Sequence, residues 1–264
     1  MARLDPRILR KMRSKADQYK STNLLFPSYW RTRHWSKSPH RIVQLVRRYS
    51  ESVDGIASRA IGRYHDRLWD DIATEVEDLD LRRTLARHMR KVDQLFFFGL
   101  LTREVRSPGS LTRSEQLVRL RVHERNHRTS YGRWNPDRGV IEIWTQAFHR
   151  RNSFQRLFLA LAHEMAHAYL DIFSNRNSSA FARDVDPDDG HGPMFNRLFH
   201  ILLFRLNQWA PGLHEIQDEL VRYRDRPRAS HRHREYRIAG PGQQSDADAS
   251  TDSGHSSSSG GLSG

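Results

Sequence analysis

Residues 159–173 read LALAHEMAHAYLDIF. Two histidines and a glutamate interrupt a run that is otherwise apolar enough to form core. Buried polar groups need partners, and a metal ion is one way to supply them. His163 and His167 are four residues apart, so on a helix both lie on one face. Glu164 follows the first of them and projects from the neighbouring side. This is the HExxH arrangement, in which two imidazoles ligate a zinc ion and the carboxylate serves as general base. Core histidines satisfied by local partners are the competing reading, since the chain holds 15 histidines.

A catalytic zinc site needs a third protein ligand and an open position. One known solution would place glycine at 170 and histidine at 173, where the chain has Leu170 and Phe173. A second requires a downstream glutamate, and none occurs from Met165 through Leu213. The stretch DDGHGPMF, residues 188–195, offers a histidine. Glycines on both sides of His191 let the backbone turn and aim the ring, and the following helix can anchor it. Asp188 and Asp189 are the alternative ligands. His200 is read as packing on its own helix.

Working outward, Asn152 or Ser153 can cap a helix from about Phe154 to Phe173. Pro193 suits the first turn of the next helix, whose broad apolar face runs Phe195, Leu198, Phe199, Leu202, Leu203 and Leu206. Trp209 to Gly212 stops it, and a short last helix covers 213–223. Upstream, LVRLRVHE (117–124) alternates as a half-buried strand, and VIEIW (140–144) gives a second. The turn-rich stretch 126–139 between them suggests antiparallel neighbours in a small sheet. Residues 103–116 read as a loop. Helical spacing links Ile56, Ala60, Ile61, Tyr64 and Leu68, and the apolar face continues through Ile72, Val76, Leu79 and Leu81. The core-like run 92–101 ends the last of these helices.

The 264 residues suffice for one good-sized domain with extensions. The absence of cysteine excludes disulfides, thiolate metal sites and cysteine nucleophiles. No apolar run approaches the roughly 20 residues of a membrane span, and the N-terminus lacks the apolar core of a secretory signal. The net charge of +13 is uneven: residues 1–48 hold thirteen Lys and Arg against two Asp. Such an arm meets nucleic acid or another polyanion. Within it, Trp30 and Trp35 lie among Arg31, Arg33, Lys37 and Arg41, a mixture that can stack bases and hold phosphates. The tail, 226–264, is rich in Ser, Gly and Asp and reads as disordered. The expected organisation is therefore a basic arm over 1–50, a domain over 51–225 with its core at about 90–215, and the tail.

HEMAHAY, followed by GHGPMF at the start of a helix and preceded by the strand GVIEIW, resembles the SprT-like metalloprotease family, which includes the Spartan-type DNA-dependent proteases. The resemblance covers roughly residues 90–215. It implies a zincin-like fold around the active-site helix; with the strands and leading helices read above, the expected fold class is α+β, with a small, mostly antiparallel sheet and a helical N-terminal extension. It implies one Zn2+ on His163, His167 and His191, with Glu164 as general base. It also implies cleavage of proteins on or crosslinked to DNA during repair, and hence a nuclear location, with cytoplasmic or mitochondrial ones as alternatives. Two departures stand out. The loop between His167 and His191 is longer than the usual family spacing, and without cysteine there is no zinc ribbon. The basic arm is the expected substitute for DNA contact, including single-stranded DNA. Two other functions compete: a zinc peptidase unrelated to DNA, and a non-enzymatic, zinc-stabilised nucleic-acid binder. Tyr131 and His123 are candidates for stabilising a transition-state oxyanion.

Overall fold

The computed structural model describes residues 37–224 except 57, 107–113, 128–129, 148–149, 152 and 212, together with Arg7, Arg10 and Arg13. The expected disordered tail and most of the basic arm, including Trp30, Arg31, Arg33 and Trp35, lie outside the described residues.

The described chain is α+β. Helices α1 (Pro39–Ile56), α2 (Ser58–Ala73) and α3 (Leu81–Phe96) come first. A strand pair, β1 (Glu104–Arg106) and β2 (Ser114–Gln116), leads to β3 (Arg119–His127), β4 (Gly132–Asn135), β5 (Val140–Ala147) and β6 (Arg150–Arg151). Helices α4 (Phe154–Phe173), α5 (Ser179–Asp184), α6 (Pro187–Gly190), α7 (Pro193–Trp209) and α8 (His214–Arg224) complete it. No helix among the described residues is long and apolar enough to cross a membrane.

Helix α4 has the bounds expected from its sequence, and the Ser153 side chain caps it by accepting from Arg156 N–H. Sixteen of its twenty residues are buried. A helix buried on nearly every side must be surrounded by other elements, and α4 touches α3, α7, β4 and β5. Pro193 occupies the first turn of α7, as expected, and Leu198, Phe199, Leu202 and Leu203 are fully buried there.

The sheet departs from expectation. Its order is β3-β5-β4, with β6 at the end of β5. The two strands read from the sequence, β3 and β5, are parallel, with Leu120 opposite Ile141 and Val122 opposite Ile143. The physical reason lies in the turn-rich connection between them, which contains the short strand β4. It forms a hairpin with β5 and takes the antiparallel edge, leaving β3 the other. The Asn135 side chain accepts from Arg138 N–H, and Gly139 has φ +60°, which together close this hairpin. The stretch read as a loop, 103–116, likewise contains β1 and β2, paired antiparallel. Each is three residues long, too short to show alternation.

The boundary placed at residue 50 falls inside α1. Ile42, Val43, Leu45 and Val46 are buried, so this segment joins the core despite its charge. His40 reaches Asp184 on α5 (3.1 Å), and Lys37 forms an isolated parallel bridge with Ser174 at the end of α4.

Asp93 ends α3 and starts the sheet region. Its carbonyl accepts from Phe97 and Gly99 N–H, with Phe98 and Gly99 both at positive φ. Its buried carboxylate accepts from Leu101 N–H (3.1 Å), Thr102 N–H (2.7 Å) and the Thr102 hydroxyl (2.7 Å). Burial pushes this carboxyl up to about 6, against the pull of those hydrogen bonds. An unfolded carboxyl titrates near 3.8. The folded chain thus holds an extra proton between these values, and this contribution to stability declines as pH rises through the window. Asp93→Ala is expected to cost about 2–4 kcal/mol at pH 7, because buried N–H groups lose their acceptor. The loss should be larger at pH 4. Chemical denaturation at both pH values checks this; a pH-independent loss would contradict the placement of Asp93.

Candidate metal centre

His163, Glu164 and His167 lie in the middle of α4. His163 is 1% and Glu164 7% exposed, while His167 is partly buried. His191 reaches them from the turn between α6 and α7. The three Nε2 atoms converge: His163 to His191 is 3.0 Å, His163 to His167 is 3.1 Å and His167 to His191 is 3.2 Å. A neutral imidazole carries one N–H, so three mutually facing nitrogens cannot all be joined by well-aligned N–H···N bonds. Burial, and secondarily the nearby His191, pushes His167 well below the ordinary histidine range, which leaves its lone pair available. Three imidazole nitrogens gathered this closely form a candidate cation site, and this cluster can hold a metal ion. Tetrahedral coordination with metal–nitrogen bonds of about 2.0–2.1 Å requires nitrogens roughly 3.3–3.4 Å apart. The cluster needs to open by only a few tenths of an ångström.

The GHG segment is shaped by close approach. Gly190 has φ +87°, and a Cβ there would lie 3.3 Å from His167 Cε1 and Nδ1. A Cβ on Gly192 would lie 2.5 Å from the Asp184 carbonyl oxygen. Glycine at 190 thus admits the turn beside His167, and glycine at 192 lets the chain pass against α5. Asn196 Nδ2 then donates to the His191 carbonyl (2.8 Å), fixing the turn to α7. The side chains of Asp188 and Asp189, the alternative ligands, lie outside the described residues. His200 is exposed and stacks on Phe204, as its reading required.

Phe195 contacts all three imidazoles, with ring centroids 4.7 Å from His163, 4.1 Å from His167 and 4.9 Å from His191. Phe199 adds a second ring beside His163 (5.0 Å). The sequence reading treated both only as apolar face. The available signal was spacing: Phe195 is four residues after His191, with Phe199 one turn beyond.

Glu164 is held by β4. Trp134 N–H donates to Glu164 Oε2 (2.7 Å), and the Trp134 indole N–H donates to Asp171 (3.1 Å), two turns along α4. Burial raises the Glu164 carboxyl to about 8 in the metal-free chain, while the Trp134 bond and the Arg133 charge oppose the shift. A Cβ on Gly132 would sit 3.0 Å from Glu164 Cγ, so glycine allows β4 to lie this close. Sequence reasoning missed Trp134 because it missed its strand.

The structure separates His123 from this centre. His123 stacks on Trp144, its partner across the β3–β5 pair, and approaches Glu142 (3.4 Å); Glu142 and Trp144 alternate with the buried Ile141 and Ile143, so all three lie on the opposite face of the sheet. That excludes the oxyanion role considered for it. Tyr131 is buried in the core next to Gly132, and its carbonyl accepts from Trp144 N–H. Of the candidate nucleic-acid contacts, Arg41 is exposed on the first turn of α1 and donates to Gln44.

Gly192→Ala is expected to cost about 1–3 kcal/mol or more through the clash with the Asp184 backbone, and to weaken metal uptake by displacing His191. Thermal unfolding and metal titration of the variant measure both. Wild-type behaviour in each would contradict the packing of the GHG turn. No protein-family model, curated protein or solved structure matches the chain.

Proposed function

We propose that this protein is a zinc-dependent metalloendopeptidase acting on proteins on or crosslinked to DNA. The observation that carries the reading is the convergence of three Nε2 atoms to within 3.2 Å, with Glu164 adjoining on the same helix. His163, His167 and His191 would hold the ion. Three imidazoles and no thiolate suit zinc, and three protein ligands leave a coordination position open. The central helix beneath a small mixed sheet with an antiparallel edge strand, β4, supports a zincin-like reading of the fold. The similarity of HEMAHAY and GHGPMF to SprT-like proteases supports the peptidase class.

When bound, zinc supplies Lewis acidity, polarising a peptide carbonyl and acidifying water to about neutral pH. Glu164 performs the proton work. Trp134 N–H holds its Oε2, which leaves Oε1 to take a proton from the attacking water and to deliver one to the departing amine. Burial strengthens each of these interactions, and a bound dication lowers the carboxyl from the raised value of the metal-free chain. Phe195 and Phe199 keep the imidazoles oriented and exclude water from behind them.

The link to DNA is supported by the +13 net charge and by its concentration in residues 1–48. A nuclear site of action belongs to the same reading.

The experiment compares wild type with Glu164→Gln. Both are expected to bind one zinc. Wild type should cleave a DNA-binding protein, and more so with single-stranded DNA present, while the variant should lose at least about a hundredfold in rate, the lower range for removal of a general base. Equal cleavage by both would exclude Glu164 as the base. Cleavage indifferent to DNA would assign the enzyme to other substrates. Zinc binding with no cleavage by either protein would leave a zinc-stabilised binding protein.

A further inference from the structure

A second concave site lies apart from the histidine cluster, between α2 and α3. Its cavity, about 330 Å³, is lined by Arg63, Tyr64, Arg67, Arg87, His88 and Lys91. That volume lies at the lower end of the range for small-ligand pockets, roughly 300–1,000 Å³. Four residues with permanently cationic side chains therefore border one cavity, whose wall is mostly carbon. Such crowding is unfavourable unless anions answer it.

One anion is built in. Asp71, 5% exposed, accepts from Arg87 Nη2 (2.7 Å) and His88 Nε2 (2.8 Å), and Arg67 Nε approaches it at 3.9 Å. The Tyr64 hydroxyl completes the floor, hydrogen-bonded to His88 Nδ1 (3.1 Å). Burial lowers the His88 pKa to about 4, so the ring is neutral at pH 7. The built-in charge is thus one carboxylate against four cations. Arg87 Nε is shielded from solvent and has no hydrogen-bond partner in the structure.

The cationic surface extends beyond the cavity. Helix α3 carries Arg82, Arg83, Arg87, Arg90 and Lys91 against one acidic residue, Asp93, which is buried against Thr102. Arg83, Arg87 and Lys91 follow one another at four-residue steps and form one stripe of the helix. On α2, Arg63 and Arg67 have the same spacing, but Asp66, Asp70 and Asp71 balance that helix, so the excess positive charge lies on α3.

We propose that the α2–α3 cavity is a phosphate-group binding site. Guanidinium groups pair with phosphate oxygens through two parallel N–H···O bonds, and lysine adds a point charge. The Arg63 guanidinium and the Lys91 ammonium, both on exposed side chains, are the groups that would meet the ligand. Tyr64 supplies an aromatic edge beside them. The same chemistry receives a free phosphate or the phosphodiester of a nucleic-acid strand. The site does not depend on the peptidase reading, because none of its residues belongs to the histidine cluster.

The test uses the full-length chain and two probes, inorganic phosphate and a short single-stranded oligonucleotide. The first readout is local: the rate at which an amine-reactive reagent modifies Lys91, followed by mass spectrometry at constant ionic strength. Either probe should slow it several-fold relative to chloride, and Arg63→Gln should abolish that protection. The second readout is oligonucleotide affinity in Arg63→Glu/Lys91→Glu. These two side chains are exposed, so the fold should survive, which circular dichroism verifies. Protection by both probes with a tenfold or greater loss of oligonucleotide affinity assigns the site to a nucleic-acid strand, and the salt dependence should then flatten by about two phosphates. Protection by inorganic phosphate alone, with oligonucleotide affinity unchanged, assigns it to a free phosphate or small phosphate ester. Protection by neither probe overturns the proposal.

Discussion

Three imidazole nitrogens held within 3.2 Å of one another set the central constraint on this structure. Lone pairs so arranged repel unless a cation lies among them, so the surrounding chain must hold them in place. Helix α4 supplies two by its own pitch. The third comes from a turn whose path depends on Gly190 and Gly192 and whose exit is tied by Asn196. Phe195 touches every ring of the cluster and couples α7 to it. Placing a rigid aromatic among the three imidazoles restrains their rotation and keeps a dry wall on the core side.

The same helix explains the sheet. Glu164 is a buried carboxyl that needs a donor, and the backbone N–H of Trp134 provides it. That contact requires β4 to lie against α4, with glycine at 132 to permit the approach. Once β4 occupies the antiparallel edge of β5, β3 pairs on the other side, where two reversals of the chain leave it parallel to β5. The indole bond from Trp134 to Asp171 fastens the strand at a second point along the helix. A cluster of polar groups in the middle of one helix thus organises a strand on one side and a glycine turn on the other.

Much of this was legible in the sequence where a long periodic element carries it. The bounds of α4, the proline start of α7 and the convergence of His191 on His163 and His167 all follow from spacing and from glycine and proline placement. The rest rests on tertiary contacts. GRWN within 126–139 reads as turn because four residues cannot display alternation, and its strand character comes from β5 and α4. Positive charge marked residues 39–50 as arm, yet Ile42, Val43, Leu45 and Val46 made that segment a core helix. His123 lies on the strand paired with β5, which packs on α4, but alternation along β3 turned it to the opposite face. The cationic cavity was hidden for a different reason, since α2 and α3 looked like ordinary amphipathic helices until their charged edges faced each other.

The most direct test is the metal content of the purified full-length chain, wild type and His191→Ala, measured by elemental analysis after dialysis against metal-free buffer. One zinc per wild-type chain, retained at nanomolar free metal and lost in the variant, is the predicted result. A wild-type chain that takes up no metal, or a variant that holds it as tightly as the wild type, would contradict the three-histidine centre.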